Sequence, residues 1–477
     1  GALEWGTLKH LLFGDYISVS VENGGFVERV QGGKTYIRVR SRNANGYILK
    51  KDIQAERILE VNFVDVGQGD GCHLVTPSDK HYILDAGAKD NMYRFLKWRF
   101  NLQKGKNAPP VFRAVISHPD SDHYQGFGHI FIRQTKNKQQ FNFDRIYHNG
   151  IVERSTGKKL GETTAANGKT YITGLLFTDN EMRAHLENTP GGSLYQRTLK
   201  KAAATYPGAR FEALCREDAA EAVYLVQEEE FSVEVLGPLL EKQDNQKALR
   251  YFPGKNSTTN DVGRTKNGHS VVLKIQFGKI KILLGGDLNP PAEDYLLEHY
   301  TGTDIARLRE DYETAATPAE KETIKKEMEA ALAKAREHFQ VDIAKSCHHG
   351  SADFTTEFLQ AVNPLVTVVS SGDDEPHCHP RPDTLGTLGK FSRGDRSFIF
   401  CTELMRSGKE FINIKDLRTT EGKERVVIRY GMINLRTDGQ KLIMAQKLER
   451  DRGSQSWDIH RFEWDEALNT LKHIAES

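Results

Sequence analysis

Along residues 14–54, β-forming and polar residues alternate in short runs, DYISVSV, GGFVERV, GGKTYIRVRS and NGYILKKDI, punctuated by Gly-Gly and Asn-Gly pairs. Such alternation predicts strands joined by tight turns, and together a small antiparallel barrel. From Leu59 the pattern changes. ILEVNFVDVGQGDGCHLV, HYILDAG and VFRAVISHPDSDH carry near-continuous apolar runs that end in Gly, Asp or His. Runs of this kind suit strands buried on both faces, with chemistry on the loops at their ends. The pattern returns in SVVLKIQFGKIKILLGGDL, a hairpin-like pair, and in VDIAKSCHHGS and PLVTVVSS. Between Asp287 and His348 the period becomes helical, and TPAEKETIKKEMEAALAKAREHF is the clearest helix. Its opening TPAE reads as a capping box with Pro at the first helical position. Near the end, VVIRYGMINLRTDGQKLIMAQKLE predicts two strands around an Asp-Gly turn. Residues 140–265 are expected to form loops and short helices over the site. The fold class expected is α/β, with one domain at 1–57 and a second at 58–477 that carries a helical insert at about 292–340.

Length and composition narrow this picture. At roughly 150 residues per domain, 477 residues suggest two to three domains. Lys and Arg number 66 against 65 Asp and Glu, a formal charge of +1. That balance excludes a globally polybasic nucleic-acid coat and an acidic tail protein, while leaving room for a local basic groove. No apolar run approaches the roughly 18 residues of a membrane span, so no membrane partner is expected. Gly1-Ala2 stands where a Met would begin a chain, so a fragment boundary or an added scar is expected there. LEWGTLKHLLFGDY has too short an apolar stretch for a signal peptide. Five cysteines, widely spread and without a CxxC pair, argue against a disulfide framework or zinc ribbon and for a reducing, cytoplasmic setting.

The sharpest chemical signal is His118-Pro-Asp120-Ser-Asp122-His123, just after the strand AVIS. Four metal-capable side chains in six residues can converge on one or two ions, since imidazole and carboxylate both bind divalent transition metals. Asp85 ends YILDAG, Asp287 ends KILLGGD, and His348-His349 follows AKSC. Strand ends that aim Asp and His at a common rim are what a binuclear hydrolase needs. A carboxylate such as Asp287 could bridge two ions about 3.5–4 Å apart, whose shared water ionises near neutral pH.

Other segments are weaker signals. DDEPHCHPRPD brings His377, His379 and Arg381 close together, and Cys347 and Cys378 beside the histidines read as buried packing residues. Gln68-Gly69-Asp70 either approaches a phosphate or supports a tight strand end, and Asp65 reads as structural. Basic stretches at Arg94-Phe-Leu-Lys97-Trp-Arg99-Phe and Arg133-Gln-Thr-Lys136-Asn-Lys138 suit either a nucleic-acid backbone or a solvated helix face. The helix near 318–338 mixes Lys and Glu in i,i+4 pairs and is expected to be exposed.

Taken in order, Asp65-Val-Gly-Gln-Gly-Asp70, Asp85-Ala-Gly87, His118-Pro-Asp-Ser-Asp-His123, Asn267-Gly-His-Ser270, Gly285-Gly-Asp287, His348-His-Gly-Ser351 and His379-Pro380 resemble the metallo-β-lactamase superfamily. Within it the sequence is similar to the soluble hydrolase domain of the ComEC competence family. The resemblance implies an αβ/βα four-layer sandwich with a metal site along one edge of two packed sheets. GYILKKDI resembles the close of a bacterial SH3-like domain, so 1–57 is expected to be an SH3-like small β-barrel.

Carried over by resemblance, His118 and Asp120 bind the first ion, Asp122 and His123 the second, and Asp287 bridges them. His348 completes the second ion and His349 faces substrate, although either member of that pair fits the pattern. Asp85 orients a ligand histidine. Asn267, His269 and Ser270 stand where many members have a single histidine ligand, so His269 is either an added ligand or a neighbour. His379 lies near the scissile group, where it hydrogen-bonds a phosphate oxygen or protonates the leaving oxygen. Asp120 replaces the commoner histidine, which hardens the shell and favours Mn²⁺ over Zn²⁺; two divalent ions, Mn²⁺ or Zn²⁺, are expected. The implied function is a binuclear phosphodiesterase, a DNA nuclease, with turnover resting on Asp122, His349 and His379. Alternatives are a hydrolase of small phosphoesters, lactones or nucleotide messengers, or a partner-regulated scaffold with a silent site. DNA is the expected partner, with a protein partner through the N-terminal domain.

Overall fold

The long apolar runs do become sheet strands. A computed structural model describes residues 11–41, 44–100, 102, 108–135, 138–218, 220–372, 378–405, 409–413, 424–428, 431–452 and 455–475. It is a mixed α/β structure built on two large sheets. One has ten strands, in the order Arg210–Ala213, Asn142–His148, Val111–Val115, His81–Ala86, Gly71–Val75, Leu59–Val64, Met432–Thr437, Lys441–Arg452, Gln455–Asp465, Thr470–Ile474. The other has seven, in the order Val223–Gln227, Phe231–Gly237, Val272–Phe277, Ile280–Leu284, Ile343–Lys345, Val366–Val369, Phe398–Cys401. Each sheet contains a parallel block. His81–Ala86, Val111–Val115, Asn142–His148 and Arg210–Ala213 run parallel in the first, and the last four strands run parallel in the second.

Burial on both faces follows from the layering. Val61, Phe63, Leu74 and Leu84 of the ten-stranded sheet share one core with Val233, Leu273, Ile282 and Val366 of the seven-stranded sheet. The opposite face of the first sheet, including Ile83, Ala114 and Ile146, packs against Phe95 and Leu96 of helix Asn91–Arg99 and Leu199 of helix Leu194–Thr205. The opposite face of the second, including Leu283 and Ala344, packs against Leu297 of helix Pro290–Thr301 and Phe339 of helix Pro318–Phe339. Fully burying such a side chain contributes roughly 1.5–3 kcal/mol, so both strand faces stabilise the fold. Among the described residues, no helix is long and apolar enough to cross a membrane.

Helix Pro318–Phe339 begins as its sequence predicts. Thr317 accepts from the Glu320 backbone N–H at 3.2 Å, and Glu320 accepts in return from Thr317 N at 2.9 Å. The Asp-Gly turn also forms, with Thr437 paired to Leu442. At the N-terminus, Ser18–Val19, Glu28–Gln31, Lys34–Ser41 and Ala44–Leu49 make a four-stranded antiparallel sheet. Residues 140–265 are more regular than expected. They hold helices Asp179–Glu187 and Leu194–Thr205, and a separate four-stranded sheet of Thr163–Ala166, Lys169–Ile172, Glu241–Gln243 and Gln246–Arg250.

Candidate metal centre

The carboxyl ends of the parallel strands in both sheets open onto one place. Asp85 and the Ser117-His118 pair follow from the first sheet, and Asp287, Lys345 and Ser370 from the second. Asp85 owes its direction to a bulge. Pairing with the neighbouring strand jumps from Cys72–Leu84 to Gly71–Ala86, leaving Asp85 out of register with φ 54°. A bulged residue re-aims its side chain, here into the site. Gly69 matters for a different reason. Its φ is 102°, and a Cβ there would lie 1.8 Å from the Asp122 carbonyl oxygen, so only glycine lets this turn press against the Asp122 loop.

Asp122, His123, Asp287 and His349 form one group, with one donor atom from each lying within 4.8 Å of the others, and Asp70, Asp85 and His123 form a second. His123 Nε2 is 3.1 Å from Asp287 Oδ2 and 3.3 Å from His349 Nε2. His349 Nε2 is 3.1 Å from Asp287 Oδ2 and 3.4 Å from Asp122 Oδ2. Both rings are held from behind. Asp85 Oδ2 lies 2.8 Å from His123 Nδ1, while Asp85 accepts from Ser117 N at 2.8 Å and from Ser117 Oγ at 2.6 Å. His349 Nδ1 is 3.1 Å from the Ser370 carbonyl and 3.2 Å from Asp70 Oδ1. Fixing Nδ1 leaves Nε2 to face the group, the arrangement that metal-binding histidines use.

His118 and Asp120 lie alongside. His118 Nδ1 is within 3.0 Å of Ser117 Oγ and 3.2 Å of Ser270 Oγ. Its Nε2 is buried with no hydrogen-bond partner among the described residues and sits 3.8 Å from Asp120 Oδ2. Asn267, with its amide turned to satisfy both ends, donates to Asp120 Oδ2 at 2.7 Å. Ser270 also accepts from the Asp287 backbone N–H at 3.0 Å, so it joins the two halves.

The His348-His349 pair is placed opposite to the expected order. His348, His349 and Gly350 all have left-handed φ, of 47°, 54° and 78°. This turn carries His349 into the carboxylate group and leaves His348 nearer Asn267, 3.5 Å away, and His379, with ring centroids 5.9 Å apart. His269 engages the protein instead of the group: its Nε2 is 2.6 Å from the Arg250 carbonyl and its ring stacks on Phe252. Burial pushes His269 down to a pKa of about 4. His379 stands with its ring centroid 6.5 Å from that of His349. His377 and Lys136 lie outside the described residues.

Electrostatics follow from the packing. Burial opposes charge on His123, yet Asp287, Asp85 and Asp122 outweigh it and hold the ring well above the usual histidine pKa. His349 is raised in the same way, against burial, by Asp287 and Asp70. Burial would raise Asp287, but the two rings hold its carboxyl well below the usual range. At Asp85 burial prevails and the pKa rises despite His123.

Lys266 and Lys345 carried little signal in sequence, whereas Asp70 closes the motif Asp65-Val-Gly-Gln-Gly-Asp70. Asp70 contacts Lys345 and His349 with its buried carboxylate, and Lys345 also lies 3.7 Å from Asp287 Oδ1. A lysine inside the apolar strand VDIAKSC was the available cue. Lys266 contacts Asp120 and lies 3.1 Å from Glu153. Were the histidines neutral, as metal ligation would require, Asp70, Asp85, Asp120, Asp122, Asp287 and Glu153 would face only Lys266 and Lys345, an acidic surplus suited to divalent cations. The unpartnered His118 Nε2 and this donor set fit Mn²⁺ or Zn²⁺.

One peripheral expectation changes. Cys378 is exposed, with φ 56°, because it precedes His379 on the surface turn and does not pack inward. In the 94–100 stretch Phe95 and Leu96 are core residues and Arg99 pairs with buried Glu60 at 2.8 Å, while Arg94 is exposed. No family model matches the chain, and no curated protein matches it.

Proposed function

We propose that this chain is a metal-dependent hydrolase of the metallo-β-lactamase type that cleaves phosphodiesters, with DNA as substrate. The observation that carries the reading is the pair of imidazole nitrogens, His123 Nε2 and His349 Nε2, converging on Asp287 with Asp122 beside them. Two packed sheets with helices outside support an αβ/βα sandwich, and the small N-terminal antiparallel sheet supports an SH3-like unit.

Asp122, His123, Asp287 and His349 would hold one divalent ion, and His118 with Asp120 a second beside it. When bound, such ions supply Lewis acidity toward a phosphate and an ionised water at neutral pH. The protein's own contribution is orientation and proton handling. Asp85 fixes the His123 ring through Nδ1, and Asp70 with the Ser370 carbonyl fixes His349. His348 and His379, at the rim, are assigned to the phosphate oxygens and to protonation of the leaving oxygen, a role worth typically about 10²–10⁴-fold. Tyr16, 70% exposed, and Val30, 74% exposed, support a protein partner on the N-terminal sheet. Five free cysteines support a cytoplasmic setting.

Metal content by plasma mass spectrometry, followed by assays on linear DNA, circular DNA and small phosphoesters with Mn²⁺ or Zn²⁺, tests this. Close to two ions per chain and metal-dependent DNA cleavage are expected. Bound metal with activity confined to small esters would remove DNA, and absence of metal after reloading would remove the hydrolase.

A further inference from the structure

The two halves of the centre are not equivalent. Lys266, whose side chain is 11% exposed, reaches from helix Val262–Gly268 into the His118–Asp120 half. Its ammonium contacts Asp120 Oδ1 and lies 3.1 Å from Glu153 Oε1. The other Asp120 oxygen faces His118 Nε2 at 3.8 Å and accepts from Asn267. One carboxylate is therefore shared between a protein ammonium and the place where an ion would join His118. A resident positive charge weakens what that carboxylate can offer a second cation and repels it directly. The other half differs. Its nearest lysine, Lys345, sits chiefly on Asp70 and is 3.7 Å from Asp287.

Glu153 gives Lys266 somewhere to go. Its backbone carbonyl accepts from Ser193 Oγ at 2.6 Å, at the start of helix Leu194–Thr205, so the carboxylate is presented from an anchored segment. We propose that Lys266 is a built-in monovalent cation of the His118–Asp120 half: the chain binds one divalent ion tightly and admits a second only when the ammonium moves from Asp120 onto Glu153. This rests on the metal-centre reading above. It makes Lys266 and Glu153 positioning residues that set how many ions are held at a given metal concentration.

The test is titration of the chelator-stripped full chain with Mn²⁺, followed by calorimetry and by the electron paramagnetic resonance signal of free Mn²⁺. The native chain should show two classes, the second at least about tenfold weaker, a difference of roughly 1.4 kcal/mol. Lys266→Met should tighten the second class, and Glu153→Gln, which removes the alternative seat, should weaken it, with the first class unchanged in both. Opposite signs separate this effect from general destabilisation, which would degrade both classes together. Two equally tight ions in the native chain, or a second class indifferent to Lys266→Met, would overturn the proposal while leaving the metal centre standing. If none of the three proteins binds Mn²⁺, the metal-centre reading fails and the proposal with it.

Discussion

His123 and His349 face each other, Nε2 to Nε2 at 3.3 Å, across 226 positions of sequence. Asp287 Oδ2 lies 3.1 Å from each nitrogen and can accept from both. On the metal-centre reading, a bound ion would replace the protons favoured on these two rings, whose pKa values are raised against burial chiefly by Asp287.

That substitution fixes a pH dependence. Both rings have folded pKa values well above 6.5, raised against burial chiefly by Asp287. Their contribution to the metal-free fold is therefore complete below the unfolded pKa and is lost as pH rises through the folded values. An ion held by these rings, as proposed, would have to displace those protons, so its affinity would move the other way and fall with acidification. Metal at a hundred times its Kd adds about 2.7 kcal/mol of stability. Melting curves with Mn²⁺ and with chelator should diverge progressively from pH 6 to pH 9; a constant gap would show that these rings are not displaced.

Exchanging the roles of adjacent histidines gives a sharp pair of variants. His349→Ala should lose the tight ion and turnover together. His348→Ala should keep the ion and lose about 10²-fold in kcat, the scale of a lost proton donor or phosphate contact. Metal stoichiometry and kcat measured on the same preparations decide between them, and the reverse pattern would restore the assignment expected from sequence.

On the proposed reading, Asp85 acts through His123, whose Nδ1 it meets at 2.8 Å. Asp85→Asn keeps the shape but removes the charge opposite Nδ1–H, and loss of such a partner typically costs about 10–100-fold in metal affinity. Calorimetry should register that loss with little change in the circular dichroism spectrum. Undiminished affinity would mean that the Ser117 contacts alone orient the ring.

Lys345 is buried between Asp70 and Asp287. Lys345→Met leaves two buried carboxylates without their cation, and breaking a buried pair costs about 3–5 kcal/mol. Adding Asp70→Asn should recover part of it. Urea denaturation of the single and double variants in chelator measures both, and a double variant no better than the single would dissociate Asp70 from Lys345.

Strand ends bearing Asp85, His118, Asp287 and the His348-His349 pair were legible because apolar runs stop abruptly at acids and imidazoles. The order within that pair was not, because a left-handed turn at two non-glycine residues decides it and Gly350 is the lone compositional hint. Lys266 and Lys345 were obscured for another reason. Their partners are remote in sequence, and each looks like an ordinary charge until the sheets stack. Residues 140–265 hid strands such as Thr163–Ala166, TTAA, whose small residues give no alternation to read.

The separation of His123 from His349 also bears on how the protein is made. At about 5–20 residues per second, roughly 10–45 s of synthesis pass between the emergence of the two. For the first part of that interval, until Lys266, Asn267 and Asp287 emerge, Asp120, Asp122 and His123 have no opposite wall. Closure of the ten-stranded sheet comes later still, since Leu59–Val64 takes its neighbour from Met432–Thr437, with Asn62 and Asn434 separated by 372 positions. A nascent chain released early would carry the acidic loop with one flank of its central strand bare. If the centre holds metal as proposed, capture would belong to the end of translation, and a chain stalled before then would expose one edge of Leu59–Val64.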